Sequence, residues 1–353
     1  MRIFGLIEMP RFGKMPTGER LANIKLSPHF KDGAFQNQSV TPQLTGGATY
    51  AKVMKQILFG RPKRSAPVYP IPSMKTNLLS LYPLENCLVW FGHSSYFMQV
   101  DGKRILVDPV FSGSASPFTF MTKAFKGTDK YTTDDLPPID YLFITHDHYD
   151  HLDYKTFKQL IPKVGTIITG LGTGEHLEHW GFDPARILEK DWYQHIDLEP
   201  GFTVDTIPAR HFSGRWFKRN QALWTSFVLQ TPGLKIFIGG DSGYDKHFAE
   251  AGHTFGGFDL AILENGQYNA YWKHIHLMPD EILQAAKELK AKRILPVHSS
   301  KFALGNHDWD EPLKLITENN SKENLNIITP MIGEKVNLDD QHQVFSQWWK
   351  GVN

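Results

Sequence analysis

Thr145-His146-Asp147-His148-Tyr149-Asp150-His151-Leu152-Asp153 follows directly on the apolar run Ile139-Asp140-Tyr141-Leu142-Phe143-Ile144. The run reads as a buried strand. A dense cluster of imidazoles and carboxylates at the end of such a strand has no packing purpose, but imidazole and carboxylate both ligate divalent transition metals. On an extended or sharply turning segment His146 and His148 point the same way, toward one metal. Asp150 and His151 lie around the turn and reach a second. A chance surface loop accounts well for a lone histidine and poorly for H-x-H-x-D-H after an apolar run.

Such a motif needs further ligands from elsewhere in the chain. His211 closes the run Phe202 to Ile207 and the segment Pro208-Ala209-Arg210. Asp241 follows Ile236-Phe237-Ile238-Gly239-Gly240, and His298 follows Arg293-Ile294-Leu295-Pro296-Val297. Each lies at the carboxyl end of a candidate strand. Singly, each has a plainer explanation, as a helix-capping acid or a hydrogen-bonded core histidine. Four strand ends that all carry ligand-type side chains are harder to explain that way.

In this order of H-x-H-x-D-H, His, Asp and His the chain resembles the metallo-β-lactamase superfamily. The resemblance implies that His146, His148 and His211 hold one metal ion, that Asp150, His151 and His298 hold a second, and that Asp241 bridges them. It implies two divalent metal ions, zinc first, with manganese or iron also compatible with these donors. It also implies an α/β (α+β) fold, the αββα sandwich, in which two mixed sheets pack face to face with helices outside.

Further pieces narrow the resemblance. Val89-Trp90-Phe91-Gly92-His93-Ser94-Ser95-Tyr96, Arg104-Ile105-Leu106-Val107-Asp108-Pro109, Gly240-Asp241-Ser242-Gly243-Tyr244, Lys273-His274-Ile275-His276-Leu277-Met278-Pro279 and the early Arg11-Phe12-Gly13-Lys14-Met15-Pro16 stand in the order of the N-acyl-phosphatidylethanolamine-hydrolysing phospholipase D group. That resemblance implies phosphodiester hydrolysis of a phospholipid-like substrate, with Asp150 and His276 as candidate catalytic residues. His276 is expected beside the metals without ligating them, suited to contacting phosphate or moving a proton. The alternative for His276 is a surface histidine ahead of the helix expected over Asp280 to Lys290. Tyr268 and Trp216, with Phe217 and Trp272, are candidates to line an acyl groove, although core packing competes for each. His93 and Asp108 match the group too. They are expected to be structural hydrogen-bonding groups of the first hairpin rather than supports for metal ligands. Asp147, between the first two histidines, departs from a neutral residue at that point.

Composition is that of an ordinary globular protein, with 21% charged and 41% hydrophobic residues. Cys87 is the only cysteine, so no internal disulfide can form and a reducing compartment is permitted. No stretch approaches the roughly 20 apolar residues of a membrane span. A cytoplasmic location is expected, with peripheral membrane contact as an addition. Residues 1–75 carry 12 Lys and Arg against 3 Asp and Glu, a net +9, while the rest of the chain nets −8. Lys52, Lys55, Arg61, Lys63 and Arg64 surround Met54, Ile57, Leu58 and Phe59, a pattern that either docks on an anionic membrane surface or packs its apolar residues inward. Inward packing is the expectation. The charge is local and no recognition motif accompanies it, so nucleic acid is not an expected partner.

The chain is expected to divide into an irregular basic extension over 1–80, packed on the core with one helix near Tyr50 to Phe59, and a catalytic domain over 81–353. Two readings compete with a phospholipase D type enzyme. One is a lactonase or hydrolase of small phosphorylated esters on the same metals, suggested by a more distant similarity to the ascorbate-phosphate lactonase branch. The other is a metal-binding scaffold at a membrane surface.

Overall fold

Side chains alternate across a strand, and in Cys87–Trp90 both faces are apolar and both are buried. A strand of that kind needs a packed layer on each side. The computed structural model describes residues 9–215 and 218–352 and supplies those layers.

After a short hairpin of β1 (Phe30–Lys31) and β2 (Ala34–Phe35) come β3 (Cys87–Trp90), β4 (Tyr96–Val100), β5 (Lys103–Val107), β6 (Ile139–Ile144), β7 (Val164–Gly170) and β8 (Ile187–Lys190). Then follow β9 (His195–Glu199), β10 (Phe202–Pro208), β11 (Thr225–Gln230), β12 (Lys235–Ile238), β13 (Leu260–Glu264), β14 (Ile294–Val297) and β15 (Lys335–Asn337). One sheet has the order β15-β3-β4-β5-β6-β7-β8 and the other β14-β13-β12-β11-β10-β9. Both are mixed: β5 to β8 pair in parallel, as do β12 to β14, and the other neighbours are antiparallel.

Leu88, Trp90, Met98, Ile105 and Phe143 of the first sheet share one core with Val204, Phe227, Leu229, Ile236 and Ile262 of the second. The Phe143 and Phe227 rings meet across it at 5.2 Å. The alternate residues Val89, Phe97, Leu106 and Leu142 face Phe157, Leu160 and Leu177 of the helices Tyr154–Leu160 and Gly174–His179. On the far side Val228, Phe237 and Ala261 face the helices His247–Thr254, Glu281–Glu288 and Glu311–Asn319. Four layers result, in the order helix, sheet, sheet, helix. Each fully buried large side chain contributes about 1.5–3 kcal/mol from leaving water.

Several expectations shift. The helix expected over Asp280 to Lys290 spans Glu281–Glu288, and the Asp280 side chain makes no capping bond. Strands β8, β9 and β15 are additions, because their polar alternation is weak signal for a strand. The extension holds a second helix, Gly18–Leu26. Its Arg20 bonds Glu175 at 3.0 Å, Glu189 at 2.5 Å and Glu178. The helix Tyr50–Phe59 is present, yet Met54 and Phe59 are 56% and 83% exposed rather than packed inward, while the side chains of Ile57 and Leu58 lie outside those described. Among the described residues no helix is long and apolar enough to cross a membrane.

Candidate metal centre

Strands β3, β5 and β6 run one way in the first sheet, as do β10, β12, β13 and β14 in the second. Their carboxyl ends meet at one edge of the sandwich and carry every donor singled out in the sequence. His146 to His151 follow β6, His211 follows β10, Asp241 follows β12 and His298 follows β14. The two sheets are tied together here. Thr225 N–H donates to the Thr145 carbonyl at 2.9 Å. His298 N–H donates to the His93 carbonyl at 2.9 Å, and His93 N–H to the neighbouring Ser299 carbonyl at 2.9 Å. Both histidines have left-handed backbone, φ 54° at His93 and 64° at His298. Non-glycine residues rarely adopt that conformation, and it collects at functional sites.

The donors form two neighbouring groups. His146 Nε2 lies 2.9 Å from His148 Nδ1, which lies 3.3 Å from His211 Nε2. Nitrogen donors on a tetrahedral zinc ion stand roughly 3.3 Å apart. The second group brings Asp150, His151 and His298 together with His93. Asp241 lies between the two. Its Oδ2 is 3.3 Å from His151 Nε2, 3.9 Å from His146 Nε2 and 3.8 Å from His211 Nε2, while its Oδ1 is 3.1 Å from His298 Nδ1.

Two observations test whether these residues fit metal ions. Despite those near contacts, His151 Nε2 and Asp241 Oδ1 are buried with no hydrogen-bond partner among the described residues, a costly state unless something else satisfies them. The charge state also suits cations. Burial, reinforced by neighbouring imidazoles, holds His146 and His211 well below the usual histidine range. Burial opposes ionising Asp241 and Asp150, but His151 and its neighbours outweigh it and hold both carboxyls well below their usual range. Imidazoles low in basicity at His146 and His211 and ionised Asp241 and Asp150 are the forms that metal binding requires. At His151 burial is outweighed by Asp241, Asp150 and Asp108, which together lift it well above the usual histidine range, a positive charge drawn to the place of a cation. The residues fit.

The supports of these donors correct the expectation for His93 and Asp108. Asp108 Oδ2 accepts from His151 Nδ1 at 2.7 Å, and the same carboxylate accepts from Thr145 N–H at 2.9 Å and its hydroxyl at 2.6 Å. His93 Nε2 lies 2.9 Å from Asp150 Oδ2. Both residues touch candidate ligands directly rather than the hairpin alone. His211 is aimed in the same fashion, its Nδ1 donating to the Ile275 carbonyl at 2.7 Å.

Asp147 points away from the donors. Its Oδ1 accepts from Gly214 N–H at 2.7 Å and its Oδ2 lies 3.4 Å from His176 Nε2. Burial opposes its charge, and His176 reverses that and lowers its pKa. Buried Arg215 bonds the carbonyls of Asp147 at 2.8 Å, Leu152 at 2.7 Å and Arg11 at 2.8 Å. Lys14 N–H donates to His176 Nδ1 at 3.0 Å. The Arg11–Lys14 segment is thus pinned behind the His146–His151 loop.

In front of the donors opens a cleft of about 890 Å³, floored by His148, Asp150, His211, Asp241, His276 and His298. Part of its wall is Gln36 to Leu44 with Tyr50 and Val53, all from the N-terminal extension. Composition gave no hint of that. Trp272 and Phe212 line it, and Arg219, stacked over Phe212 at 4.8 Å, is its only Lys or Arg among the described residues. Tyr268 is not in the lining. It is buried, and its hydroxyl donates to Glu311 at 2.9 Å. Trp216 and Phe217 lie outside the described residues. His276 Nδ1 lies 2.6 Å from Glu264 Oε2. Burial lifts Glu264 to about 7 against the pull of His276. Sequence reading missed Glu264, although an acid closing the apolar run Leu260–Leu263 repeats the pattern that marked Asp241.

A family model for the beta-lactamase superfamily domain matches residues 103–299. An uncharacterised protein of Mycobacterium tuberculosis is 34% identical over 328 residues, 92% of this chain and 88% of its own. The mitochondrial N-acyl-phosphatidylethanolamine-hydrolysing phospholipase D of Saccharomyces cerevisiae is 33% identical over 250 residues, 68% of this chain and 52% of its own. Among solved structures, a metallo hydrolase of the archaeon Ignicoccus hospitalis superposes with a TM-score of 0.56 at 21% identity, covering 71% of this chain and 97% of its own. With its two mixed sheets, outer helices and clustered His and Asp donors, the chain belongs to the beta-lactamase superfamily of metal-dependent hydrolases.

Proposed function

We propose that this chain hydrolyses a phosphodiester at a dinuclear metal centre, and that its substrate is a phospholipid of the N-acyl-phosphatidylethanolamine kind. One observation carries the reading: Asp241 sits between two donor groups at the floor of a cleft that is open to a substrate. His146, His148 and His211 would hold one ion, Asp150, His151 and His298 the other, and Asp241 both. When bound, two divalent ions polarise phosphoryl oxygens and make water nucleophilic near neutral pH.

The protein's own groups do the rest. Asp150, steadied by His93, orients the attacking water. His276, in the cleft floor, binds the phosphoryl group or gives a proton to the departing alcohol. The water oxygen bonds to phosphorus and the bond from phosphorus to the alcohol oxygen breaks. The alcohol oxygen gains a proton, giving an N-acylethanolamine and phosphatidic acid. Arg219 supplies a positive charge to an anionic substrate, and Phe212 and Trp272 supply apolar surface for acyl chains. Val40 and Tyr50 of the cleft wall are exposed, and along the helix Tyr50–Phe59 the exposed Met54 and Phe59 share the segment with Lys52 and Lys55, which suits peripheral contact with an anionic membrane.

The test is a product-resolved assay of metal-loaded protein on N-acyl-phosphatidylethanolamine and on phosphorylated lactones. Phosphatidic acid release supports the proposal, whereas turnover of the lactones alone overturns it in favour of a lactonase. Liposome binding that weakens as salt rises supports the membrane contact, and salt-insensitive or absent binding removes it.

A further inference from the structure

Glu264 ends β13 and is 1% exposed. A buried carboxylate is costly unless its oxygens are satisfied, and each of these is engaged. Oε1 accepts from Ser242 N–H at 3.0 Å and from Leu277 N–H at 2.9 Å. Those donors belong to the loop beside Asp241 and the loop beside His276. Oε2 faces His276 Nδ1 at 2.6 Å. The ring itself is held on two sides, stacked on His298 at 5.2 Å and 21° and edge-on to His211 at 5.0 Å.

We propose that Glu264 is a positioning residue for His276: it takes the Nδ1–H bond and leaves Nε2 as the atom that exchanges a proton with substrate in the cleft. This rests on the reading of His276 given above. The two ring nitrogens are distinct, and the bond made by one sets the role of the other. Its other oxygen is committed to two backbone donors, so Oε2 is the one that faces the ring.

Glu264→Gln separates positioning from bulk structure. The Ser242 and Leu277 N–H groups require an oxygen at Oε1, so the glutamine amide must turn its NH2 toward His276. Nδ1 then has to accept, and the proton moves to Nε2. Shape and both backbone bonds survive.

The experiment uses the full zinc-loaded chain labelled with ¹⁵N-histidine. Long-range ¹H–¹⁵N spectra, assigned with the His276→Ala variant, should show His276 protonated at Nδ1 in the wild type and only at Nε2 in Glu264→Gln. On N-acyl-phosphatidylethanolamine, Glu264→Gln should lower kcat by roughly 10²-fold with KM little changed. The loss should vanish in a His276→Ala background, since residues acting as one unit are non-additive. A bare Nδ1 in the wild type overturns the proposal, and that measurement decides even if the glutamine variant does not fold. An equal kcat loss with and without His276 overturns it as well. Full turnover by His276→Ala overturns instead the role of His276 in the proposed reaction, while the tautomer still judges Glu264.

Discussion

Asp108 Oδ2 stands 2.7 Å from His151 Nδ1, so the end of one parallel strand aims a donor carried by the next. Such carboxylate–histidine pairs fix the ring tautomer and raise the basicity of the ligating nitrogen. Asp108→Asn should therefore weaken metal binding by about 10–100-fold. Competition against a chelator measures this, and unchanged affinity would remove Asp108 from the site.

Asp150 accepts from His93 and faces the cleft. Asp150→Asn keeps the shape and loses the charge. Turnover should fall by roughly 10³-fold or more, with circular dichroism unchanged. Turnover at the wild-type level would refute its role.

Gly13 has φ 74°, and a methyl group added there would lie 2.1 Å from His176 Nδ1. Gly13→Ala both strains the backbone and pushes the N-terminal segment off the metal loop, at a cost of about 1–3 kcal/mol. A lower unfolding midpoint, with earlier proteolysis ahead of Met15, is the expected result. An unaltered midpoint would show that the segment is not pinned as described.

Burial holds the His247 imidazole down at about 3, with the Ser242 hydroxyl 3.2 Å from its Nε2. In the unfolded chain the group titrates near 6.5. Below that value the unfolded state binds a proton that the folded state refuses. Stability is therefore full above pH 6.5 and falls toward pH 3, by about 1.4 kcal/mol per pH unit from this group. His247→Gln should flatten the decline of the unfolding midpoint between pH 6.5 and 4. Parallel pH profiles for variant and wild type would contradict the assignment.

Legibility followed the strength of local pattern. The candidate donor loop was readable because an apolar strand ends abruptly in ligand-type residues, and His211, Asp241 and His298 repeat that signature. Strands β8 and β9 were not, since Ile187–Lys190 and His195–Glu199 are half polar and take their form from neighbours. The helix Gly18–Leu26 buries only Ile24 and is held by Arg20 on acids more than 150 residues away, which no local pattern records.

The linear chain by itself offered strand-end residues of ligand type, and its resemblance to a known superfamily implied the sandwich class and the expected donor set. Only the tertiary structure decided what those donors lean on: Asp108 behind His151, His93 beside Asp150, Glu264 against His276, and the extension forming a cleft wall. The physical reason is that ligand chemistry is a property of residue type and can be read in place. Hydrogen-bond partnership depends on which strand ends the two sheets bring within about 3 Å, and that follows from packing alone.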